Sequence, residues 1–123
     1  MKKLLVLLVG LCLLAAGLPV AAAPGPGWSD GRTTLTFLGH SAFMLSRGDM
    51  SIVFDPYLTD NPQKAAEPEA LSPQYILVSH AHQDHLGDTV AIARRSGAKV
   101  VATAEIARMV AQQGCEVVPV HIG

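Results

Sequence analysis

The sequence predicts an α/β fold in which helices cover one sheet, and three observations carry that prediction. Residues 33–54 alternate apolar and polar side chains with the period of two that strands require. From residue 75 onward, short apolar runs alternate with segments of helical periodicity, as in a sheet built from βαβ units. At the end of one apolar run stands a polar segment crowded with histidine, His80-Ala81-His82-Gln83-Asp84-His85.

The 123 residues are 50% hydrophobic and 15% charged, which suits one small globular domain, and a second full domain is not expected within them. The N-terminus stands apart. Lys2-Lys3, an uncharged apolar stretch from Leu4, and Val20-Ala21-Ala22-Ala23 ahead of Pro24-Gly25-Pro26-Gly27 form the three regions of an export signal. Residues 1–22 are therefore expected to be a signal peptide cut after Ala22, because a cut after Ala23 would put Pro24 beside the scissile bond. The alternative is an uncleaved anchor, since residues 4–23 approach the roughly 20 apolar residues that span a bilayer. Pro19 and the alanine run favour cleavage, so the expected location is periplasmic or secreted, with membrane anchorage as the other reading. Leu11 precedes Cys12 where lipoprotein acylation needs a small residue, which argues against a lipid anchor. Once the signal is removed Cys115 is the sole cysteine, so no intrachain disulfide forms; between Gly114 and an apolar strand it reads as a small, semi-buried residue.

Nine lysines and arginines, less Lys2 and Lys3, leave seven basic against 10 acidic residues. Nothing in this balance recommends a nucleic-acid backbone as partner, because that needs a clustered basic face to displace counterions; a small-molecule substrate is the expected partner, and oligomeric state is not written in the sequence.

Residues 23–31 read as a linker, and the folded domain is expected over 32–123. Strands at 33–38, 42–45 and 50–54, with a turn at Arg47-Gly48-Asp49, make a β-meander. Residues 57–73 carry three prolines and read as a surface loop rather than a core element. Tyr75-Ile76-Leu77-Val78 is the short apolar run of a strand buried on both faces. Asp88 then caps a helix to about Arg95, followed by a turn at Ser96-Gly97 and a strand at 99–102. Thr103 caps a second helix with Ile106, Met109 and Val110 on its core face, and Gly114 closes it before a strand at 116–120. The sequence ends at His121-Ile122-Gly123 directly after that strand, which reads as an interruption of the fold.

The chemistry sits at 80–85. Residues two apart on an extended segment point to the same side, so His80 and His82 can present ring nitrogens to one ion, and the following turn redirects Asp84 and His85 toward a point nearby. Imidazole with carboxylate suits zinc or another first-row divalent ion. The bland alternative is a histidine-rich surface loop. Against it stand the H-x-H-x-D-H order, the buried strand before it, and Leu86-Gly87-Asp88 leading into a helix.

That motif after a buried strand resembles the principal metal motif of the metallo-β-lactamase superfamily. Residues 36–43, Ile52-Val53-Phe54-Asp55-Pro56 and residues 80–88 together are similar to a small, poorly characterised family of metal-dependent hydrolases. That family is itself similar to the lactonase acting on ascorbate phosphate and, more distantly, to phospholipases that cleave N-acyl phosphatidylethanolamine. The resemblance covers residues 33–123 and implies the N-terminal half of an αββα sandwich. It implies that His80 and His82 bind a first metal and that Asp84 and His85 bind a second, with zinc in both sites and Mn, Fe or Ni also compatible. Asp55 would be the carboxylate behind the histidine loop that orients it, or else a plain turn residue before Pro56. His40 would contact substrate or hydrogen-bond the backbone, and His121 would be structural or line the pocket.

The implied reaction is hydrolysis by a metal-bound hydroxide, with Asp84 both ligand and proton carrier. The remaining ligands of the family pattern would lie beyond Gly123, so this segment alone is expected to be inactive and the enzyme complete in a longer parent chain. The alternatives are a non-catalytic metal-binding fragment and a half-domain that assembles with a partner. Lactam, lactone, phosphodiester and thioester substrates all stay open, and the superfamily name by itself implies no antibiotic resistance.

Overall fold

The computed structural model describes residues 32–121; the expected signal peptide at 1–22, the linker at 23–31, and Ile122 and Gly123 lie outside the described residues. Among those described, no helix is long and apolar enough to cross a membrane. The elements follow in the order β1 (Thr33–Gly39), β2 (Ala42–Arg47), β3 (Met50–Phe54), a 3-10 turn (Pro68–Ala70), β4 (Tyr75–Leu77), α1 (Gln83–Leu86), α2 (Thr89–Ser96), β5 (Lys99–Thr103), α3 (Ala104–Ala111) and β6 (Val117–Val120). They form one mixed sheet of six strands in sequence order. β1, β2 and β3 pair antiparallel as the meander predicts, and β3 to β6 pair parallel through helical or loop crossovers.

The core lies on one face of this sheet. Val53, Ile76 and Val100 stand opposite one another on β3, β4 and β5, and each is fully buried. Ile92 and Ala93 of α2 and Ile106 and Val110 of α3 join the same cluster, so both helices cover the same face. Each buried aliphatic side chain contributes about 1.5–3 kcal/mol, so these central positions carry much of the fold's stability. Residues 89, 92 and 93 form the stripe that α2 buries, and Gly97 ends that helix in the left-handed conformation with its N–H bonded to the Ala93 carbonyl.

Four expectations require correction. α3 buries Ile106, Ala107 and Val110, a stripe whose centre lies about 100° from Met109 at helical spacing, and Met109 is exposed rather than core filling. The loop at 57–73 is not merely superficial. Leu58 and Leu71 are buried in the core, because the meander has no helix of its own and the loop closes over it. That loop is held at both ends of α2: the Asp88 carboxylate accepts the Leu58 and Thr59 N–H groups at 2.8 Å, and the Arg95 guanidinium donates to the Pro68 and Leu71 carbonyls at 2.7 and 2.6 Å. Asp88 therefore occupies the N-cap position of α2 without capping it through its side chain. Finally, β4 is buried on one face only: Ile76 is buried, while Tyr75 and Leu77 are half-exposed on the other. Cys115 is half-buried with its sulfur toward the Val90 carbonyl, and burial pushes its thiol above the ordinary range, as suits a packing residue.

Among the described residues no helix covers the second sheet face, which is apolar across its middle and carries Arg47 and Lys99 toward its margin. One row crosses all six strands through Phe37, Phe43, Phe54, Leu77, Val101 and Val118. A second row runs Leu35, Leu45, Ile52 and Tyr75. Leu35 is 63% exposed and Phe37 56%, values typical of a surface that packs against something else.

Candidate metal centre

Topology brings the polar residues to one edge of the sheet. β1 and β3 run in the same direction as β4, with β2 reversed between β1 and β3, so three chain segments emerge together: the β1–β2 turn with His40, the exit of β3 with Asp55, and the exit of β4 with residues 79–85. The carboxyl edge of parallel strands is where α/β proteins place ligands. Among the described residues, His40 and Asp55 are the non-glycine residues with positive φ, 54° and 40° respectively, and both turn their side chains toward this loop. The turn at His40 depends on Gly39, whose φ is 113° and whose missing Cβ would stand 2.7 Å from the Asn61 side-chain nitrogen and 2.9 Å from the Gln63 carbonyl.

The histidine loop leaves β4, passes His82 in extended conformation and closes one turn of helix, α1, in place of the expected simple turn. His80 Nε2 lies 3.0 Å from His82 Nδ1, with the rings edge to face. His85 stacks beside His80 with ring centroids 4.0 Å apart, and its Nε2 is 3.8 Å from Asp84 Oδ2. His40 donates from Nε2 to the same Asp84 oxygen at 3.0 Å, so its partner is a carboxylate rather than the backbone. That hydrogen bond is the foremost of the causes that hold the Asp84 carboxyl below its ordinary value. Ser41 Oγ adds a bond to the Asp84 carbonyl at 3.1 Å.

Behind the loop stands Asp55. Its Oδ1 accepts the Ser79 N–H at 2.7 Å, and its Oδ2 accepts the Ser79 hydroxyl at 2.7 Å and His85 Nδ1 at 2.9 Å. His121 is exposed beyond β6, about two strand spacings, or ~10 Å, along the sheet from β4.

Two ligand atoms about 2.0–2.1 Å from one zinc ion at tetrahedral to trigonal angles stand about 3.3–3.6 Å apart. The His80–His82 pair at 3.0 Å and the Asp84–His85 pair at 3.8 Å each lie within a few tenths of an ångström of that range. One ligand atom each from His40, Asp84 and His85 falls within 4.8 Å of the others. The donor set of imidazoles and a carboxylate therefore fits a divalent ion. Sequence reasoning missed Ser79, which touches Asp55, His80 and His85 at once; its place between a strand and the first histidine was the available signal.

Residues 34–118 match the family model described as the beta-lactamase superfamily domain. A UPF0173 metal-dependent hydrolase of Carboxydothermus hydrogenoformans is 49% identical over 89 residues, covering 72% of this chain and 39% of that protein. Another, from Thermococcus onnurineus, is 55% identical over 71 residues, covering 58% and 31%. Among solved structures, Igni18, a metallo hydrolase of Ignicoccus hospitalis, superposes with a TM-score of 0.68 at 35% identity over 74% of this chain and 40% of that one. The diiron β-hydroxylase CmlA of Streptomyces venezuelae shares the fold alone, with a TM-score of 0.59 at 18% identity over 72% of this chain and 20% of that one. The matched stretch thus spans about two fifths of the length of the Carboxydothermus relative and of Igni18, 39% and 40%.

Proposed function

Because the chain belongs to the beta-lactamase superfamily domain family and its relatives are metal-dependent hydrolases, we propose that it carries one half of a dinuclear zinc centre of an exported hydrolase. The observation that carries this reading is the convergence of His80, His82, Asp84 and His85, braced by Asp55 and His40, at one sheet edge. His80 and His82 would hold one ion, and Asp84 and His85 the other. Divalent ions bound there supply Lewis acidity, lowering the pKa of water and polarising a carbonyl or phosphorus centre of a small-molecule substrate. The chain's own contribution is orientation and proton handling: Asp55 fixes His85, and His40 keeps Asp84 ionised, so Asp84 would relay a proton onward rather than hold it. Export rests on the pattern of residues 1–23, and turnover is assigned to a longer parent chain that adds the remaining ligands.

Equilibrium dialysis against zinc and against manganese, followed by elemental analysis, tests the site. The chain is expected to retain metal and His82→Ala to bind it at least about 100-fold more weakly, because removing a ligand exceeds the effect of removing a group behind one. Equal metal in both proteins would refute the assignment.

A second reading is favoured by the open sheet face. Its row of six apolar residues suits the inner face of a sandwich, whose sheets pack about 10 Å apart. If a separate polypeptide or a second copy supplies the covering sheet, the chain is expected to sediment as a dimer or complex that Phe37→Asp dissociates. A monomer with and without the substitution would assign the covering sheet to the parent chain.

A further inference from the structure

We propose that Ser79 is a positioning residue that sets the tautomer of His80, keeping its proton on Nδ1 so that Nε2 is the free ligand. The inference rests on the metal-site reading and follows from counting protons in the network behind the loop. Ser79 Oγ lies 2.7 Å from Asp55 Oδ2, and an ionised carboxylate brings no proton, so the hydroxyl proton must lie between them. The hydroxyl has only one. Toward its other neighbours Ser79 Oγ is therefore an acceptor, and His80 Nδ1, 2.9 Å away, must present an N–H to it. A neutral imidazole protonated at Nδ1 leaves its lone pair on Nε2, which in the metal-free chain accepts from His82 Nδ1 at 3.0 Å.

His85 reaches the same tautomer by another route. Its Nδ1 donates to Asp55 Oδ2 at 2.9 Å and is 3.4 Å from Ser79 Oγ, so Asp55 holds its proton even without the hydroxyl. Asp55 itself keeps the Ser79 backbone N–H whatever side chain stands at 79. Removing the hydroxyl thus separates the two histidines. His80 loses the acceptor for its Nδ1 proton, while His85 and the turn at Asp55 keep theirs. With the proton free to move to Nε2, the His80 ring can donate to His82, which occupies the atom a metal needs.

The test is a two-bond proton–nitrogen correlation spectrum of the histidine rings in the metal-free chain at about pH 8, where imidazoles are neutral. Protonated and lone-pair ring nitrogens are well separated in such spectra. In the unsubstituted chain both His80 and His85 are expected to be protonated on Nδ1. In Ser79→Ala, His80 is expected to move to Nε2 with His85 unchanged, and zinc affinity, read by competition with a chromophoric chelator, to fall about 10–100-fold. Ser79→Thr, which keeps the hydroxyl, is expected to restore both. A His80 proton on Nε2 in the unsubstituted chain overturns the proposal without any variant, as does Ser79→Ala with the proton still on Nδ1. Failure of the metal reading is separate: the unsubstituted chain would bind no zinc while the tautomers still followed Ser79.

Discussion

Asp55→Asn is expected to lower folding stability by about 2–3 kcal/mol and zinc affinity by about 10–100-fold. Asp55 is largely buried and accepts three hydrogen bonds, from the Ser79 N–H, the Ser79 hydroxyl and His85 Nδ1. Asparagine offers one acceptor oxygen, so with that oxygen on the Ser79 N–H its NH2 group faces the Ser79 hydroxyl and His85 Nδ1, both of which must stop donating to it and turn acceptor. The backbone is not the cause, since asparagine tolerates the positive φ of 40° found at this position. Urea unfolding measures the first effect and a zinc competition titration the second. A folded variant with unchanged zinc affinity would reduce Asp55 to a turn residue before Pro56, the alternative that the sequence left open.

Gly87→Ala is expected to be costlier still, on the order of 3–4 kcal/mol, because it combines backbone strain with overpacking. Gly87 has φ 35°, and a Cβ there would stand 2.8 Å from Tyr57 Cα and 2.9 Å from the Pro56 carbonyl carbon, and closer still to the Pro56 oxygen. Those are backbone atoms of a segment that cannot easily retreat: the Asp88 N–H bonds the Pro56 carbonyl at 2.7 Å, and the Asp88 carboxylate holds the next two residues. Gly97→Ala is the milder comparison. Its φ of 75° and ψ of 15° are left-handed helical, less strained for alanine than the φ of 35° and ψ of −122° at Gly87, and nothing lies within 4 Å of the added carbon, so about 1–2 kcal/mol is expected. Equal losses in thermal unfolding would mean that the close approach between the histidine loop and residues 56–57 contributes nothing.

Local pattern made much of the fold legible. The meander, both longer helices and the parallel strands fall within one or two residues of their expected bounds, because each rests on short-range periodicity and on turn residues such as Gly48 and Gly97. Where local pattern misled, a tertiary neighbour decided. Met109 has the right residue type for a core position and the wrong angle on α3. Leu58 and Leu71 sit in a proline-bearing loop that reads as surface, and they are buried because the meander supplies no helix to cover them. The apolar run of β4 implies cover on both faces, and the described residues supply it on one.

Residue order alone points to the kind of chemistry: three histidines and an aspartate within six positions, following a strand, offer donors that suit a divalent metal. How those side chains are held is a matter of tertiary contacts. Asp55 on Ser79 and His85, His40 on Asp84, and the tether from Asp88 to residues 58–59 all join positions 24 to 44 residues apart in sequence. The reason is physical. A ligand's identity is a property of one side chain and can be read locally, whereas its orientation and the seat of its proton depend on hydrogen bonds that exist only after β1, β3 and β4 bring their ends to a common edge.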